Sequence, residues 1–379
     1  MFEYQKTGRF FAQAAGKSEE FAAVELKEFG AKEIKPAYRG VWFKTDLEHI
    51  YRINYRARLI TRVLAPLLTF DCHSTNYLLK TASKIEWDKI MNTESTFAIF
   101  ATVSNSNIKH SHYASLVLKD AIADYFREKT GERPSIDKEN PDVWLNLHIE
   151  HNKASISLDC SGGSLHRRGY RTSTIAAPMQ ETLAAGIIRL SGWNGTTPLF
   201  DPMCGSGTLL AEAVMQYSRI PSGFKREKFG FENLPDYEPE KWEKIKADGE
   251  RLQRELPENM IFGSDIDSEA VNAARTNLNN IPQGRNVRIE KADFRDLSGT
   301  DNSTMICNPP YGIRISDTAS LAGLYKSLGD FLKQHCKGST AWIYCGNREL
   351  IGKLGLKASA KIPLMNGNID GRLVKIEVY

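Results

Sequence analysis

Between residue 165 and the end of the chain, five short apolar runs recur: TPLFDP, MIFGSD, VRIEKADF, STMICNPP and STAWIYCG. Each is followed by a turn signal or a helical stretch. Near-continuous apolar strands of this length bury both faces, which a parallel sheet covered by helices achieves. The alternation therefore predicts a doubly wound α/β domain. In such folds ligands bind at the carboxyl ends of the strands. That rule draws attention to the residues closing the runs: Asp201, Asp265, Asp293 and Asn308. The final stretch, KIPLMNGNIDGRLVKIEVY, reads as two strands around Asn366-Gly367, a hairpin turn pair.

The preceding residues follow other patterns. RFFAQAA (9–15) reads as a strand and residues 18–30 as a helix, with Ser18 as N-cap and Gly30 as stop. Two strands, AKEIKPA and GVWFKTD, turn near Tyr38–Gly40; the helix LEHIYRINYRARL and the strand TRVLAPLLTF follow. The order β-α-β-β-α-β is that of a ferredoxin-like unit, placed at 1–70. Residues 71–160 form a second α/β module. It has a helix TNYLLKTASKIEWDKIM, a strand STFAIFATVS, an amphipathic helix ending at Gly131 and a hairpin turning at Asn152–Lys153. The third domain is placed at 161–379 and contains a polar insert, 219–259, with its own amphipathic helix around Trp242.

The strand TPLF runs into Asp201-Pro202-Met203-Cys204-Gly205-Ser206-Gly207-Thr208 and then the helix TLLAEAVMQ. Glycines at 205 and 207 let backbone approach a ligand, and the helix N-terminus offers free N–H groups. The turn lacks the lysine of a P-loop and a third glycine at dinucleotide spacing. By itself it is a nucleotide-binding turn or a plain tight turn. Asp265 can accept both hydroxyls of a ribose, or it or Asp267 can cap the helix from Ser268. Asp293 can accept from an adenine amino group while Phe294 packs on the ring, or the pair is a loop acid and a core phenylalanine. Chance accounts for one acid at a strand end more readily than for three.

Asn308-Pro309-Pro310-Tyr311 closes the run STMIC. Consecutive prolines stiffen the turn and set the position of its carbonyls. An amine on a base is a poor nucleophile because its lone pair is delocalised into the ring. Acceptors at the Asn308 side chain and the Pro309 carbonyl would take its two N–H bonds, pyramidalise the nitrogen and meet the charge developing on it. Tyr311 offers a face for an extruded base. This chemistry needs orientation rather than a metal or a strong base.

Six scattered cysteines, none at CxxC spacing, indicate neither a zinc site nor a disulfide framework. No run reaches transmembrane length and no secretory signal opens the chain, so a cytoplasmic protein with no membrane partner is expected. The net charge of +4 permits nucleic acid without announcing it. Three basic groups are candidates for RNA contact: Arg52, Arg56, Arg58 and Arg62; Arg167, Arg168 and Arg171 around Tyr170; and Lys225, Arg226 and Lys228. A solvated helix face is preferred for the first, and structural docking is an even alternative for the second.

DPMCGSGT, GSD, ADF and NPPYG together resemble the class I amino-methyltransferases, over about residues 175–379. The resemblance implies a Rossmann-like domain using S-adenosylmethionine. Gly205 and Gly207 would lie under its amino-acid part, with Asp201, Met203, Cys204 and Thr208 of the same turn among the cofactor-binding residues. Asp265 would meet the ribose and Asp293 and Phe294 the adenine, with Ile266 also among the cofactor-binding residues. Glu181 and Thr182 in APMQETLA would close the methionine end, although a helix start after Pro178 explains them nearly as well. Enzymes with this motif act on adenine N6, cytosine N4, guanine N2 or protein glutamine. The stretch from RPSIDKEN to HRRGYR resembles the end of a THUMP domain, for which a ferredoxin-like unit is the usual companion. With the insert KFGFENLPDYEPEKWEKIK, nearly the whole chain resembles the bacterial 23S rRNA guanine-N2 methyltransferases. The implied partner is RNA, with rRNA favoured over tRNA, and DNA adenine N6 or protein glutamine as alternative targets. Some members carry a second methyltransferase domain; here one activity is expected.

Overall fold

The chain opens with a helix of five residues, α1 (Glu3–Thr7), too short for periodicity to reveal. Burial of Phe2 and Tyr4 holds it, and the Tyr4 hydroxyl donates to Asp236. The computed structural model describes residues 1–173, 179–312 and 318–379. They form two compact units, each with its own sheet.

The first unit comprises Met1–Ala14, Ala22–Leu165 and Arg226–Lys246. Its elements continue with β1 (Arg9–Ala14), α2 (Glu19–Glu28), β2 (Lys32–Ala37), β3 (Gly40–Lys44), α3 (Leu47–Arg56) and β4 (Ile60–Asp71). Then come α4 (Thr75–Ala82), β5 (Thr96–Ser104), α5 (Ser111–Thr130), β6 (Ser135–Ile136), β7 (Val143–Glu150) and β8 (Lys153–Asp159). All eight strands join one sheet in the order β2-β3-β1-β4-β8-β7-β5-β6. The boundary expected at residue 70 thus falls inside a continuous sheet. The twelve-residue β4 pairs with β1 on one edge and β8 on the other, so its backbone groups are shared by both modules. Helix α4 stops at Ala82, earlier than expected. The Ser83 N–H makes the last helical bond to the Leu79 carbonyl at 3.0 Å, its hydroxyl donates to the same oxygen, and the Trp87 indole N–H donates to the Ala82 carbonyl at 3.0 Å beyond the helix end.

Residues 226–246, expected in the last domain, belong to this first unit. Phe229, Phe231 and Trp242 pack with Tyr51 and Tyr55 of α3; the Tyr51–Phe231 centroids are 4.6 Å apart and the Tyr55–Trp242 rings meet edge-on. Arg226 donates to the carbonyls of Ser161, Gly162 and Ser164. Such a desolvated aromatic cluster outweighs chain proximity in deciding where the insert lies.

The second unit comprises Ala15–Phe21, His166–Lys225 and Ala247–Tyr379. Its elements are α6 (Glu181–Ser191), β9 (Leu199–Asp201), α7 (Thr208–Tyr217) and, shared with the insert, α8 (Pro239–Arg251). Then follow β10 (Ile261–Asp265), α9 (Ser268–Asn279), β11 (Arg288–Lys291), β12 (Thr304–Cys307), α10 (Thr318–His335), β13 (Thr340–Cys345), β14 (Ala360–Asn366) and β15 (Ile369–Glu377). The sheet order is β11-β10-β9-β12-β13-β15-β14. The five apolar runs are its five parallel strands, and the closing hairpin adds β15 antiparallel to β13. Strand β9 is followed by β10 on one side, while β12 pairs on its other side. The direction of winding reverses there, and the glycine turn and the NPPY turn leave adjacent strands at that switch point.

Candidate active site

The turn after β9 is bonded almost entirely within itself and to the end of β10. Asp201 is 1% exposed and accepts from the Met203 N–H at 3.1 Å; burial pushes its carboxyl well above the usual carboxylate range. Cys204 N–H donates to the Ser264 carbonyl at 2.9 Å, and Gly207 N–H to the Cys204 carbonyl at 2.9 Å. Gly205 and Gly207 have φ of 54° and 79°, where a side chain is strained. Gly207 also lies against Ala274 of α9, which a Cβ would approach to 3.1 Å. Gly205 N–H donates to Asp265 Oδ2 at 2.8 Å, and Asp267 N–H to Asp265 Oδ1 at 3.0 Å. Asp267, not Asp265, caps α9, its side chain accepting from the Glu269 N–H. Each Asp265 oxygen keeps a second lone pair, and the neighbouring Ile266 side chain is 62% exposed.

Several expected cofactor contacts are engaged elsewhere. Asp201 and Cys204 are buried, and Thr208 Oγ1 accepts from Arg171 Nη2 at 3.0 Å. These three shape the turn from inside it. The Phe294 ring is 4% exposed and packs edge-on against Phe331 of α10, so it lies in the core instead of offering a face to adenine. Asp293 is gripped by the Arg295 guanidinium through both oxygens, which holds its carboxyl below the usual range.

At the start of α6, Glu181 and Thr182 are buried, and among the described residues Glu181 Oε2 and Thr182 Oγ1 have no hydrogen-bond partner. The other Glu181 oxygen lies 3.5 Å from Arg171 Nη2, and the Arg171 Nε is likewise buried with no partner among the described residues. Burial raises the Glu181 carboxyl, with the Arg171 charge opposing. Ala177 and Pro178 of the APMQETLA segment lie outside the described residues. Buried polar atoms without partners are costly in a finished fold, and a ligand ammonium or carboxylate satisfies them.

At the end of β12 the Asn308 side-chain oxygen is buried and, among the described residues, has no partner. Pro309 is buried and Pro310 exposed. Tyr311 is half-buried and held on three sides. Its hydroxyl accepts from Asn366 Nδ2 at 3.2 Å, its ring meets Tyr344 edge-on at 6.2 Å, and its face lies on Gly346, where a Cβ would come within 2.5 Å of the ring. The Asn366-Gly367 hairpin thus anchors the motif's tyrosine. From the sequence, that hairpin reads equally as a border of the base pocket and as a simple turn, while Gly346 carries no signal, since its role is the space it leaves.

The basic groups divide by burial. Arg168 and Tyr170 are buried on Glu212, Arg168 at 3.3 Å, while the Arg167 side chain of HRRGYR is exposed. Arg52 pairs with Glu48, Lys228 with Asp142, and Arg62 with Asp159 while its guanidinium lies 4.5 Å above the Phe100 ring. Among the described residues there is no cluster of His, Cys, Asp and Glu that could hold a metal ion, and no helix long and apolar enough to cross a membrane.

Residues 168–375 match the family described as "RMKL-like, methyltransferase domain", residues 72–159 a THUMP domain and residues 9–64 an RlmL ferredoxin-like domain. The chain is 39% identical over 374 residues to a Synechocystis sp. protein named "Putative RNA methyltransferase", covering 98% of this chain and 97% of that one. It is 37% identical over 383 residues to the ribosomal RNA large subunit methyltransferase K/L of Syntrophotalea carbinolica, covering 98% of this chain and 53% of that one. The chain spans about half the length of the K/L relatives it matches. Among solved structures, a "putative methyltransferase complexed with SAH" superposes with a TM-score of 0.87 at 26% identity, and a "possible methylase" of Clostridium difficile 630 with 0.86 at 27%, each over 98% of both chains. The turn of β9, the acceptors at Glu181 and Asn308 and these likenesses agree: the chain belongs to the RMKL-like methyltransferase family and is an S-adenosylmethionine-dependent class I methyltransferase.

Proposed function

We propose that this enzyme methylates the exocyclic N2 amine of a guanine in RNA, with 23S rRNA as its substrate. The observation that carries the reading is the Asn308 oxygen, buried at the rigid end of β12 with no partner among the described residues, beside a tyrosine held in place by three contacts. The THUMP domain and the names of the relatives support RNA, and the K/L relatives support large-subunit rRNA.

In this reading Gly205 and Gly207 run beneath the amino-acid part of the cofactor, and Glu181 and Thr182 satisfy its ammonium end. Asp265 accepts from the ribose, with Ile266 against the adenine and Asp293 at its edge. Bound there, S-adenosylmethionine supplies an electrophilic methyl group on a sulfonium. Asn308 Oδ1 accepts one N–H of the substrate amine and the Pro309 carbonyl the other, so both acceptors are in place before charge develops on nitrogen. Tyr311 stacks on the base and excludes water from one face. Orientation of the amine supplies most of what the chain contributes.

The test is methyl transfer from labelled cofactor to rRNA and tRNA purified from a strain lacking the enzyme, followed by nucleoside mass spectrometry. N2-methylguanosine in large-subunit rRNA is expected. Label confined to tRNA, to DNA or to protein would keep the chemistry and overturn the substrate.

A further inference from the structure

Asp370, in the hairpin that carries Asn366, is surrounded by three cations from three segments of the chain. Lys17 Nζ donates to its Oδ1 at 2.7 Å and Arg372 Nη1 to the same oxygen at 2.8 Å, while Arg348 Nη2 donates to Oδ2. One carboxylate neutralises one of three charges, so the group carries about two net positive charges at the surface. The side chains of Lys17 and Arg348 are 43% and 50% exposed and that of Arg372 is 20% exposed, and each keeps N–H donors facing water.

The cluster is tied to the NPPY turn through the sheet. Asp370 stands opposite Met365, next to the Asn366 that bonds Tyr311. Arg372 stands opposite Cys345, next to the Gly346 on which the Tyr311 ring rests. Lys17 reaches this place from a turn in the segment Ala15–Phe21, which belongs to the catalytic unit although some 145 residues separate it from the rest. Ser18 N–H closes that turn on the Ala15 carbonyl at 3.0 Å, and Lys17 holds φ at 66°, where glycine or asparagine is the usual occupant.

Building on the RNA reading, we infer that Lys17, Arg348 and Arg372, spaced by Asp370, bind the phosphodiester backbone flanking the nucleotide whose base enters the NPPY site. Asp370 is a positioning residue: it fixes three flexible cations before RNA arrives. The two guanidinium groups present paired donors suited to phosphate oxygens.

The test is RNA affinity, measured as a function of salt concentration for the full-length enzyme, with calorimetric cofactor affinity alongside. The triple variant Lys17→Gln, Arg348→Gln, Arg372→Gln should leave cofactor affinity unchanged. Its slope of log affinity against log salt should be shallower by about 2, at about 0.7 per single-stranded phosphate contact. If the triple variant loses cofactor binding, Lys17→Gln alone decides, with an expected change of about 0.7. An unchanged slope in an enzyme whose wild type methylates RNA overturns the cluster's role. Failure of the wild type to methylate any RNA overturns the substrate reading instead.

Discussion

Two turns leave adjacent strands of the catalytic sheet, and they are finished differently. The turn after β9 spends most of its polar groups on itself: Asp201 on Met203, Cys204 on Ser264, Gly205 on Asp265. The turn after β12 has two prolines to hold its shape and leaves the Asn308 oxygen buried with no partner among the described residues. A turn that cradles a bound molecule through backbone needs internal bonds to keep its curvature. A turn that must accept from a reacting group needs a free acceptor and rigidity from elsewhere. Here prolines, and the packing of Tyr311, supply that rigidity.

The sharpest way to break this contrast is Asn308→Ala. It should lower kcat about 100- to 1000-fold, as loss of one preorganised hydrogen-bonding group does, with cofactor affinity intact. Activity within a few-fold of wild type would mean that the free oxygen is incidental. Asp265→Ala attacks the other turn and should show the opposite split. Cofactor affinity by calorimetry should fall about 10- to 100-fold, the scale of hydrogen bonds to a charged acceptor. RNA affinity should stay the same, and unchanged cofactor affinity would remove Asp265 from the site. Gly346→Ala tests whether Tyr311 is held by packing. A methyl group there cannot coexist with the ring, so kcat should fall about tenfold, in line with a small overpacking penalty, while the cofactor Kd holds. A variant as active as the parent would show the ring's position to be irrelevant.

The smallest effect concerns stability. Asp201→Asn keeps an oxygen for the Met203 N–H and removes a buried charge. Because burial raises the Asp201 carboxyl, the folded chain holds a proton that the unfolded chain has released. The wild type should therefore lose stability relative to the variant as pH rises from about 4, the ordinary carboxylate value, through the raised value, and the gap should be constant above it. Urea unfolding of both proteins at several pH values measures this; a gap independent of pH would mean that Asp201 is not shifted.

Much of the site was legible because its chemistry is local in sequence. The glycine turn, the acids after β10 and β11 and the NPPY motif each sit at the end of an apolar run, and parallel winding brings such ends to one edge. What was misjudged was burial. Phe294 beside Asp293 reads as an aromatic platform, but the helix over it takes the ring into the core. HRRGYR reads evenly as structural docking or RNA contact, and in the structure Arg168 and Tyr170 close on Glu212 inside the unit. Basic residues of the two kinds look alike in a sequence because the difference lies in partners far along the chain. Arg168 meets an acid 44 residues away, whereas Lys17 meets Asp370 across 353 residues.

The sequence alone determined the doubly wound sheet and the placing of both turns. Strand length, apolar continuity and turn residues are properties of neighbouring positions. Only the tertiary structure decided that the two N-terminal modules share one sheet through β4, that residues 226–246 join the first unit, and that Asn366 and Gly346 fix Tyr311. Each of these depends on pairing and packing between distant segments, where burial free energy and hydrogen-bond satisfaction, not local pattern, select the partner.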